Sequence, residues 1–529
     1  MHQLVRQHRM EVGVRIVGII LRVLNFLLAP LFWLRARNRR RIPPIKDTLL
    51  LRSATDIAAA IRSGELTSEE VVSRYITRLQ EVNPLLNAVV DERYRDALND
   101  AREVDRLISE ARIRGNLDKL IADKPFLGVP CTVKESCSLA GLSNAVGCLE
   151  HAGRRATSDG GGVRAVRRAG IIPLLVSNTP ELCLGWETTN LLRGTTNNPY
   201  CLNRTAGGSS GGEAALLACG ASALSVSSDI AGSIRIPAAF CGVYGHKPTP
   251  GIISIEGHVP TLTDENYAKF LTVGPMTRFA EDLGPLLKIM AGDNAHLLDL
   301  DKPVHLDQLK VFHMCEATSS AALLRVPRAV QSAVTRAAHH LQRRGAALAH
   351  EKFTELEDSV EMSVSVFFSM KDIPNMLQDP ANPKHDKSLL LELLKLVFGG
   401  GSRSLQALGF ALLHRKMLYI PQAAVPHYRR RAARLRQLMQ EKLGDSGVLL
   451  YPVHNSLAHF HQQVFLRASG VMYTMLFNVL GLPATAVPVG MHGGLPVGIQ
   501  VIAAPNQDRL CLAVAKELEK GFGGWQPAA

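Results

Sequence analysis

GGSSGGEAALLACGASALSVSSDIAGSIRIP, residues 207–237, is the most informative stretch of this 529-residue chain. Its first glycines surround Ser209 and Ser210, and glycine suits turns with positive φ or close backbone approach because it has no Cβ. The composition predicts a short helix over Glu213–Cys219 and a small-residue strand over Ala223–Ser227. A second serine-bearing turn follows in the run DIAGSIR. Two such turns held on rigid elements suit a reaction centre that uses backbone N–H groups.

Three interpretations compete for the glycine-rich turn taken alone. A phosphate-binding loop would close with Gly-Lys-Ser/Thr, but here Gly212 is followed by Glu213, whose charge repels phosphate. Residues Gly207–Gly211 match the G-x-S-x-G nucleophile elbow, which sits directly after a strand, whereas residues 197–204 have the composition of a loop. The third interpretation is a tight turn capped by its own serines. The rest of the chain has to separate these alternatives.

A lysine at the end of an apolar run supplies a further chemical candidate. Lys134 ends the run GVPCTVK of residues 128–134 and is followed by Glu135. A lysine buried by such a run is costly to charge and readily serves as a neutral base. A surface ion pair between Lys134 and Glu135 is the alternative.

Together these motifs resemble the amidase signature family, and they are highly specific for it. The matching runs are GVPCTVKE with Lys134, GGSSGGEAA with Ser209, DIAGSIR with Ser233, GVYGHKPT (242–249), VGPM (273–276), FNVLGLP (477–483) and LPVGIQ (495–500). The resemblance covers roughly residues 50–520. It implies an α/β fold in which helices cover one large mixed β-sheet, and the alternation of apolar runs with helical stretches agrees with this.

The resemblance also implies the chemistry. It assigns Ser233 as the nucleophile, Ser209 as the bridging serine, which is in a cis peptide in this family, and Lys134 as the base. Amide hydrolysis needs a nucleophile, an acid for the leaving nitrogen and donors for the oxyanion. A neutral Lys134 would take a proton through Ser209 as Ser233 attacks. No metal or organic cofactor is needed, and no His/Cys/carboxylate cluster in the sequence has metal-ligand spacing.

By the same resemblance the oxyanion hole consists of four backbone N–H groups, those of Ile230, Ala231, Gly232 and Ser233. The chain departs from the family here, because Gly-Gly is usual where this sequence has Ala231-Gly232. Alanine keeps the N–H group but resists positive φ, so the departure puts the shape of the hole in question. Asp229 and Arg235 are expected to orient this turn by pairing or capping.

Composition narrows the function classes. The net charge of +13 comes with an arginine cluster at 429–436 that is more typical of a solvated helix face, or of a surface near anionic lipid, than of a nucleic-acid site. Aromatic residues make up only 5%, which leaves no stacking platform for bases. The nine cysteines form no C-x-x-C pair, and this favours reduced thiols.

The N-terminus is predicted to be a membrane anchor. Residues 16–34 are mostly apolar and just long enough to cross a bilayer core, although Arg22 and Asn25 weaken that interpretation. The alternative is a segment that lies in the interface. Basic residues follow it, namely Arg35, Arg37, Arg39, Arg40 and Arg41, and by the positive-inside tendency the catalytic part faces the cytosol. We therefore divide the chain into an anchor with its basic flank, 1–41, and an amidase domain, 42–529.

A second apolar feature lies at residues 388–414. The runs LLLELLKLVF and LQALGFALL flank a GGGS joint, which predicts two short apolar helices. They form either a buried helical hairpin or a surface that docks on a membrane, and the sequence does not separate the two.

We expect a membrane-bound serine amidase that cleaves long-chain fatty-acid primary amides and N-acyl ethanolamides, because the anchor resembles that of the fatty-amide-hydrolysing branch of the family. Its partners are then a lipid-like amide and a membrane, of the endomembrane system or of lipid droplets, with a homodimer as one option and no nucleic acid. The alternatives are an amidase for other small or peptide amides, a subunit acting with transfer RNA, and an inactive membrane scaffold.

Overall fold

The computed structural model describes residues 2–35, 40–317, 323–379, 382–416 and 422–528. Within these ranges strands and helices alternate, which confirms the predicted α/β class. The strands are β1 (Val89–Glu92), β2 (Pro130–Lys134), β3 (Ile172–Ser177), β4 (Thr189–Asn190), β5 (Gly194–Thr195), β6 (Asn197–Asn198), β7 (Cys201–Thr205), β8 (Leu224–Asp229), β9 (Tyr244–Lys247), β10 (Thr272–Thr277), β11 (Lys310–His313), β12 (Ala347–Leu348), β13 (Gln378–Asp379), β14 (Asn382–Asp386), β15 (Gly447–Pro452), β16 (Ala484–His492) and β17 (Leu495–Ala503).

The helices include both short and long segments. They are α1 (His2–Arg35), α2 (Ala54–Ser63), α3 (Ser68–Leu86), α4 (Tyr94–Ile113), α5 (Leu117–Asp123), α6 (Gly161–Arg168), α7 (Gly211–Ala218), α8 (Arg235–Cys241), α9 (Tyr267–Phe270), α10 (Ala280–Ala291), α11 (Arg328–Arg343), α12 (Ser359–Phe367), α13 (Leu389–Val397), α14 (Leu405–Lys416), α15 (Val425–Leu443), α16 (Met472–Val479) and α17 (Asp508–Phe522).

A mixed sheet of eleven strands forms the centre of the described chain, in the order β1-β3-β2-β8-β10-β9-β16-β17-β15-β11-β12. β2 runs parallel to β3 and β8, and β11 runs parallel to β12 and β15, whereas the remaining neighbours are antiparallel. All residues of β2, β3, β8 and β10 are buried. Helices such as α7, α8, α10 and α17 pack on the sheet, and this covering confirms the predicted large mixed sheet.

The helix and strand predicted at the centre of the sequence are both present. The helix α7 begins two residues before its predicted start, and β8 ends two residues after its predicted end. The serines in β8 are tolerated in the interior because their hydroxyls find partners. Ser225 Oγ lies 3.0 Å from Ser227 Oγ, and Ser227 Oγ donates to Met276 Sδ at 3.2 Å.

Two polar residues of α1 bond to other parts of the protein. The Arg22 guanidinium donates to the Leu323 carbonyl at 2.7 Å, and the Asn25 amide donates to the Leu466 carbonyl at 2.6 Å. Further along, the Phe32 ring stacks on Phe460 with centroids 6.1 Å apart. The other sides of the helix expose a row of apolar side chains: Ile16, Val17, Ile19, Ile20, Val23, Phe26, Leu27 and Leu31.

Within the described residues, no helix combines the length and the apolarity needed to cross a membrane. The bilayer-spanning alternative for residues 16–34 is therefore not supported. Of the basic flank, Arg37 and Arg39 lie outside the described residues.

Residues 388–414 form two helices with different surroundings. In α13, Leu390, Leu391 and Leu394 are exposed, and Phe398 just after it is 84% exposed. In α14, Leu408 and its buried neighbours belong to the core, and Gly409 lies so close to Phe465 that an added Cβ would come within 2.1 Å of the ring. The exposed apolar side chains of this segment thus concentrate on α13, although Leu405 and Leu412 of α14 are exposed as well. The choice between a buried hairpin and a membrane-docking surface stays a prediction.

Candidate active site

Two neighbouring parallel strands carry the candidate residues to one edge of the sheet. β2 ends at Lys134 and β8 ends at Asp229, with Val133 opposite Val226 in the register. Because the carboxyl ends of parallel strands meet at the same edge, both side chains reach the same region. Lys134, Asp229 and Ser233 are all buried there. The local sequence explains this, since apolar residues flanked by tight turns favour buried strands.

Lys134 contacts the first serine turn directly. Its Nζ lies 2.7 Å from Ser209 Oγ, 2.9 Å from Ser228 Oγ and 3.3 Å from the Ser228 carbonyl oxygen. The peptide bond between Gly208 and Ser209 is cis. Lys134 therefore does not pair with Glu135, whose carboxylate instead accepts from Ser143 Oγ at 2.7 Å. The surface ion-pair alternative is wrong.

The two serine turns are tied together by the backbone. The N–H of Ser210 donates to the carbonyl of Ser233 at 3.1 Å. Ser233 itself lies between β8 and α8, in the turn that follows Asp229. The structure thus places Ser233 in the turn adjoining the contact between Lys134 and Ser209.

A buried carboxylate shapes the Ser233 turn. Asp229 Oδ1 accepts from the Gly232 N–H at 2.7 Å, and Asp229 Oδ2 accepts from the Ile234 N–H at 3.1 Å. Arg235 donates to both oxygens at 3.0 Å. Burial alone would raise the pKa of Asp229, but the Arg235 guanidinium and the amide of Asn478 hold it well below its usual range. The expected orienting role of Asp229 and Arg235 agrees with this geometry.

Two C-terminal amides complete this network. Asn478 Nδ2 donates to Asp229 Oδ1 at 2.9 Å, and Asn478 Oδ1 accepts from Arg235 Nη2 at 2.6 Å. Gln500 Oε1 accepts from Arg235 Nη1 at 3.0 Å. These residues belong to the runs FNVLGLP and LPVGIQ, so the structure gives a physical reason for both motifs.

The network also determines which backbone donors remain. The Gly232 N–H donates to Asp229 Oδ1 and is therefore not free to bind an oxyanion, so we remove Gly232 from the expected oxyanion hole. The N–H groups of Ile230, Ala231 and Ser233 make no hydrogen bond to other described residues. The positive φ of this turn falls on Gly232, at 100°, and not on Ala231. Alanine at 231 therefore fits without strain.

Comparison with known proteins identifies the family of this chain. The family model described as Amidase matches residues 70–512. The chain belongs to the amidase signature family. Curated relatives of this amidase include fatty-acid amide hydrolase 2-A of Danio rerio, 40% identical over 97% of each chain, and fatty-acid amide hydrolase 2 of Homo sapiens, 37% identical over 91% of each. A solved fatty acid amide hydrolase superimposes with a TM-score of 0.71 at 21% identity, covering 90% of this chain and 86% of that one. The amidase is thus a hydrolase acting on amide C–N bonds.

One detail of the sequence interpretation is corrected. The residues before Ser209 do not form a loop throughout, because Cys201–Thr205 form β7. In the described part of the chain β7 forms a two-stranded sheet with β6, outside the main sheet, whereas a nucleophile elbow follows a strand of that sheet. Ser209 of the amidase contacts a lysine, and this arrangement differs from the elbow's serine–histidine pair.

Sequence reasoning missed two residues that touch Lys134 or its partner. Ser228 Oγ lies between Lys134 Nζ and His258 Nε2, which are each 2.9 Å away. Ser228 precedes Asp229 in the quoted stretch, so its position next to a predicted site residue was a usable signal. His258 stands in the loop between β9 and α9 with no local pattern around it. Burial, and secondly the neighbouring lysine, lower the pKa of His258 to about 3.

The conformation of the Ser233 turn should depend on glycine at position 232. In Gly232→Ala, the methyl group would lie 2.2 Å from Thr474 Oγ1 and the residue would keep a φ of 100°. We expect a loss of about 1–3 kcal/mol in the free energy of unfolding from the backbone alone, and slower labelling of Ser233 by a fluorophosphonate. Ala231→Gly is the matched control, and it should cost no more than about 1 kcal/mol. Equal losses in the two variants would contradict this account of the turn.

Proposed function

We propose that this amidase hydrolyses long-chain fatty-acid amides, both primary amides and N-acyl ethanolamides, with Ser233 as nucleophile, Ser209 as bridge and Lys134 as base. The 2.7 Å contact between Lys134 Nζ and Ser209 Oγ carries the mechanistic part. The proposed substrate class is supported by the relatives named as fatty-acid amide hydrolases, which match almost the whole chain.

Acylation transfers one proton along the two serines. Ser233 Oγ attacks the amide carbon and gives its proton to Ser209, whose own proton passes to the neutral Lys134 amine. The C–N bond then breaks as Ser209 protonates the leaving nitrogen and Lys134 returns its proton to Ser209. Water attacks the acyl ester through the same relay and releases the fatty acid. A positioned acid is required because, without a proton, the nitrogen would have to leave as a strongly basic amide anion, which is a poor leaving group.

The oxyanion would be held by the N–H groups that Asp229 leaves unused. These belong to Ile230, Ala231 and Ser233, in the turn around the nucleophile. Donors fixed in advance stabilise the developing charge without reorganising, and such donors commonly contribute several kcal/mol each in a buried site. The buried Arg235–Asp229 pair supplies this rigidity.

A lipid substrate calls for access from a membrane, and two helices offer a surface for it. We define the apolar surface as the exposed apolar side chains of residues 16–31 in α1 and of Leu390, Leu391 and Leu394 in α13. The segment Phe465–Val471 connects the two helices. Asn25 of α1 bonds to Leu466 in this segment, and Gly409 of α14 packs on Phe465. Since α14 contacts α13, both helices lie next to the same segment. Exposed apolar patches of this kind mark protein or membrane contacts.

We therefore place the protein on one leaflet, as a monotopic enzyme of the endomembrane system or of lipid droplets. In this arrangement α1 lies along the interface with Arg22 and Asn25 directed at the protein. Amphipathic helices of this type bury their apolar side in the boundary between headgroups and acyl chains.

The nucleophile is tested by Ser233→Ala. Removing one buried hydroxyl should reduce hydrolysis of oleamide to background and abolish the fluorophosphonate adduct, while the unfolding curve stays close to wild type. Peptide mapping by mass spectrometry identifies the labelled residue. An adduct that persists on Ser209 or Ser210 would instead support the elbow interpretation.

The base is tested by Lys134→Ala. Loss of a general base should lower kcat by about 10²–10⁴-fold, with a smaller change in KM because the amine does not bind the acyl chain. Steady-state kinetics on oleamide and the rate of Ser233 labelling measure the same loss independently. A variant that labels Ser233 as fast as wild type would remove Lys134 from the mechanism.

Membrane docking is tested by charge substitutions on the apolar surface. Phe26→Glu/Leu27→Glu on α1 and Leu390→Glu/Leu394→Glu on α13 should each lower binding to phosphatidylcholine vesicles by at least about tenfold, since each buried large apolar side chain contributes about 1.5–3 kcal/mol. The matched control is Ile113→Glu on α4, a residue that is 87% exposed.

Cleavage of a water-dispersed short-chain amide should stay unchanged in these variants, so that only delivery of long-chain substrate is affected. Vesicle co-sedimentation of all variants at wild-type levels would disprove docking through this surface.

A further inference from the structure

We infer that His258, acting through the Ser228 hydroxyl, fixes the direction in which the Lys134 amine presents its lone pair. His258 is thus a positioning residue for the base. The inference rests on the proposed function, because it concerns the proton relay of that same site. Its starting observation is an unbroken row of contacts from Tyr267 through His258 and Ser228 to Lys134.

The surroundings of His258 determine which of its ring nitrogens carries the proton. Nδ1 lies 3.0 Å from the Tyr267 hydroxyl and 3.2 Å from the Pro260 carbonyl oxygen. The Tyr267 hydroxyl itself donates to the Pro260 carbonyl. A carbonyl oxygen can only accept, and the Tyr267 hydroxyl donates to that same carbonyl, so we assign the proton to Nδ1, which then also faces an acceptor.

His258 is neutral in the working range, because burial, the largest cause, lowers its pKa, to about 3 when Lys134 is charged. Burial acts in the same direction when the Lys134 amine is neutral. A neutral imidazole has one donor and one acceptor. With the proton on Nδ1, Nε2 accepts, and the group within reach is Ser228 Oγ at 2.9 Å. The Ser228 hydroxyl therefore donates to His258 and presents only its lone pairs to Lys134.

The direction of the Ser228–His258 hydrogen bond orients the Lys134 amine. A neutral lysine amine has two N–H donors and one lone pair. Ser228 offers two acceptors to it, the Oγ at 2.9 Å and the carbonyl oxygen at 3.3 Å. When these take both N–H groups, the lone pair is left for the remaining neighbour, Ser209 Oγ at 2.7 Å. That is the direction in which a base must face to receive the Ser209 proton.

Without an acceptor at position 258, a second hydrogen-bond arrangement competes with the one in which the Lys134 lone pair faces Ser209. The Ser228 hydroxyl could then rotate and donate to the Lys134 nitrogen, which would occupy the lone pair and turn an N–H toward Ser209. The amine would remain buried and hydrogen-bonded, yet it could not accept the proton. His258 removes this competitor by holding the Ser228 proton.

The test compares His258→Leu with His258→Gln. Leucine removes the acceptor, whereas the glutamine side-chain carbonyl can still accept from Ser228. We expect His258→Leu to lower kcat for oleamide, and the second-order rate of fluorophosphonate labelling at Ser233, by about tenfold or more, with KM unchanged. We expect His258→Gln to recover both rates to within about threefold of wild type, because the acceptor that determines the orientation is restored.

A double-mutant cycle separates this role from simple packing. In a Ser228→Ala background the competing hydroxyl is absent, so His258→Leu should have no further effect on the labelling rate. A structural role would produce the same loss in both backgrounds, together with a lower melting temperature in both the Leu and the Gln variants.

Three outcomes would overturn the inference. They are wild-type rates in His258→Leu, equal losses in the Leu and Gln variants, and an undiminished effect of the Leu variant in the Ser228→Ala background. Failure of the proposed function is recognised separately, from the wild type. A protein that labels at Ser233 without cleaving oleamide refutes only the substrate class. A protein that does not label at Ser233 refutes the nucleophile, and this inference falls with it.

Discussion

The buried carboxylate of Asp229 is the constraint on which the geometry of the candidate active site depends. Its two oxygens hold the N–H groups of Gly232 and Ile234, and Ser233 lies between these two residues. Arg235 balances the charge in a site with no exposed surface. Loss of either member of such a pair leaves an uncompensated buried charge and commonly costs about 3–5 kcal/mol. The position of the Ser233 backbone is therefore determined by the hydrogen bonds and the ion pair of Asp229 as well as by the local conformation of the turn.

The same constraint connects distant parts of the chain. Arg235 bonds to Asn478, 243 positions away, and to Gln500, 265 positions away. β17, which carries Gln500, pairs with β15 and β16 in the part of the sheet that lies beyond β9. The geometry of the Ser233 turn thus depends on contacts with the C-terminal part of the sheet as well as on its own local sequence.

Local physical rules predicted the central elements well but not the long-range contacts. The helix α7 and the strand β8 follow from small residues between glycine turns, and both lie within two residues of their predicted bounds. The contact of Arg22 with a carbonyl 301 positions away could not be predicted, because the apolar run around it carries no signal of that partner. His258 was missed for the same reason, since its importance comes from where its loop lies and not from its neighbours in sequence.

In the proposed mechanism the base is a lysine, and this accounts for the two serine hydroxyls and the one carbonyl oxygen that contact its amine. A catalytic histidine has its lone pair fixed by the ring, whereas an amine rotates about its last carbon–nitrogen bond and can direct its lone pair anywhere. A lysine base therefore needs acceptors that fix its N–H groups, and those acceptors must not donate in return. The carbonyl of Ser228 meets this condition by its chemistry, and the Ser228 hydroxyl meets it only when its proton is held elsewhere. In the proposed mechanism an imidazole that takes no part in the proton relay supplies this restraint.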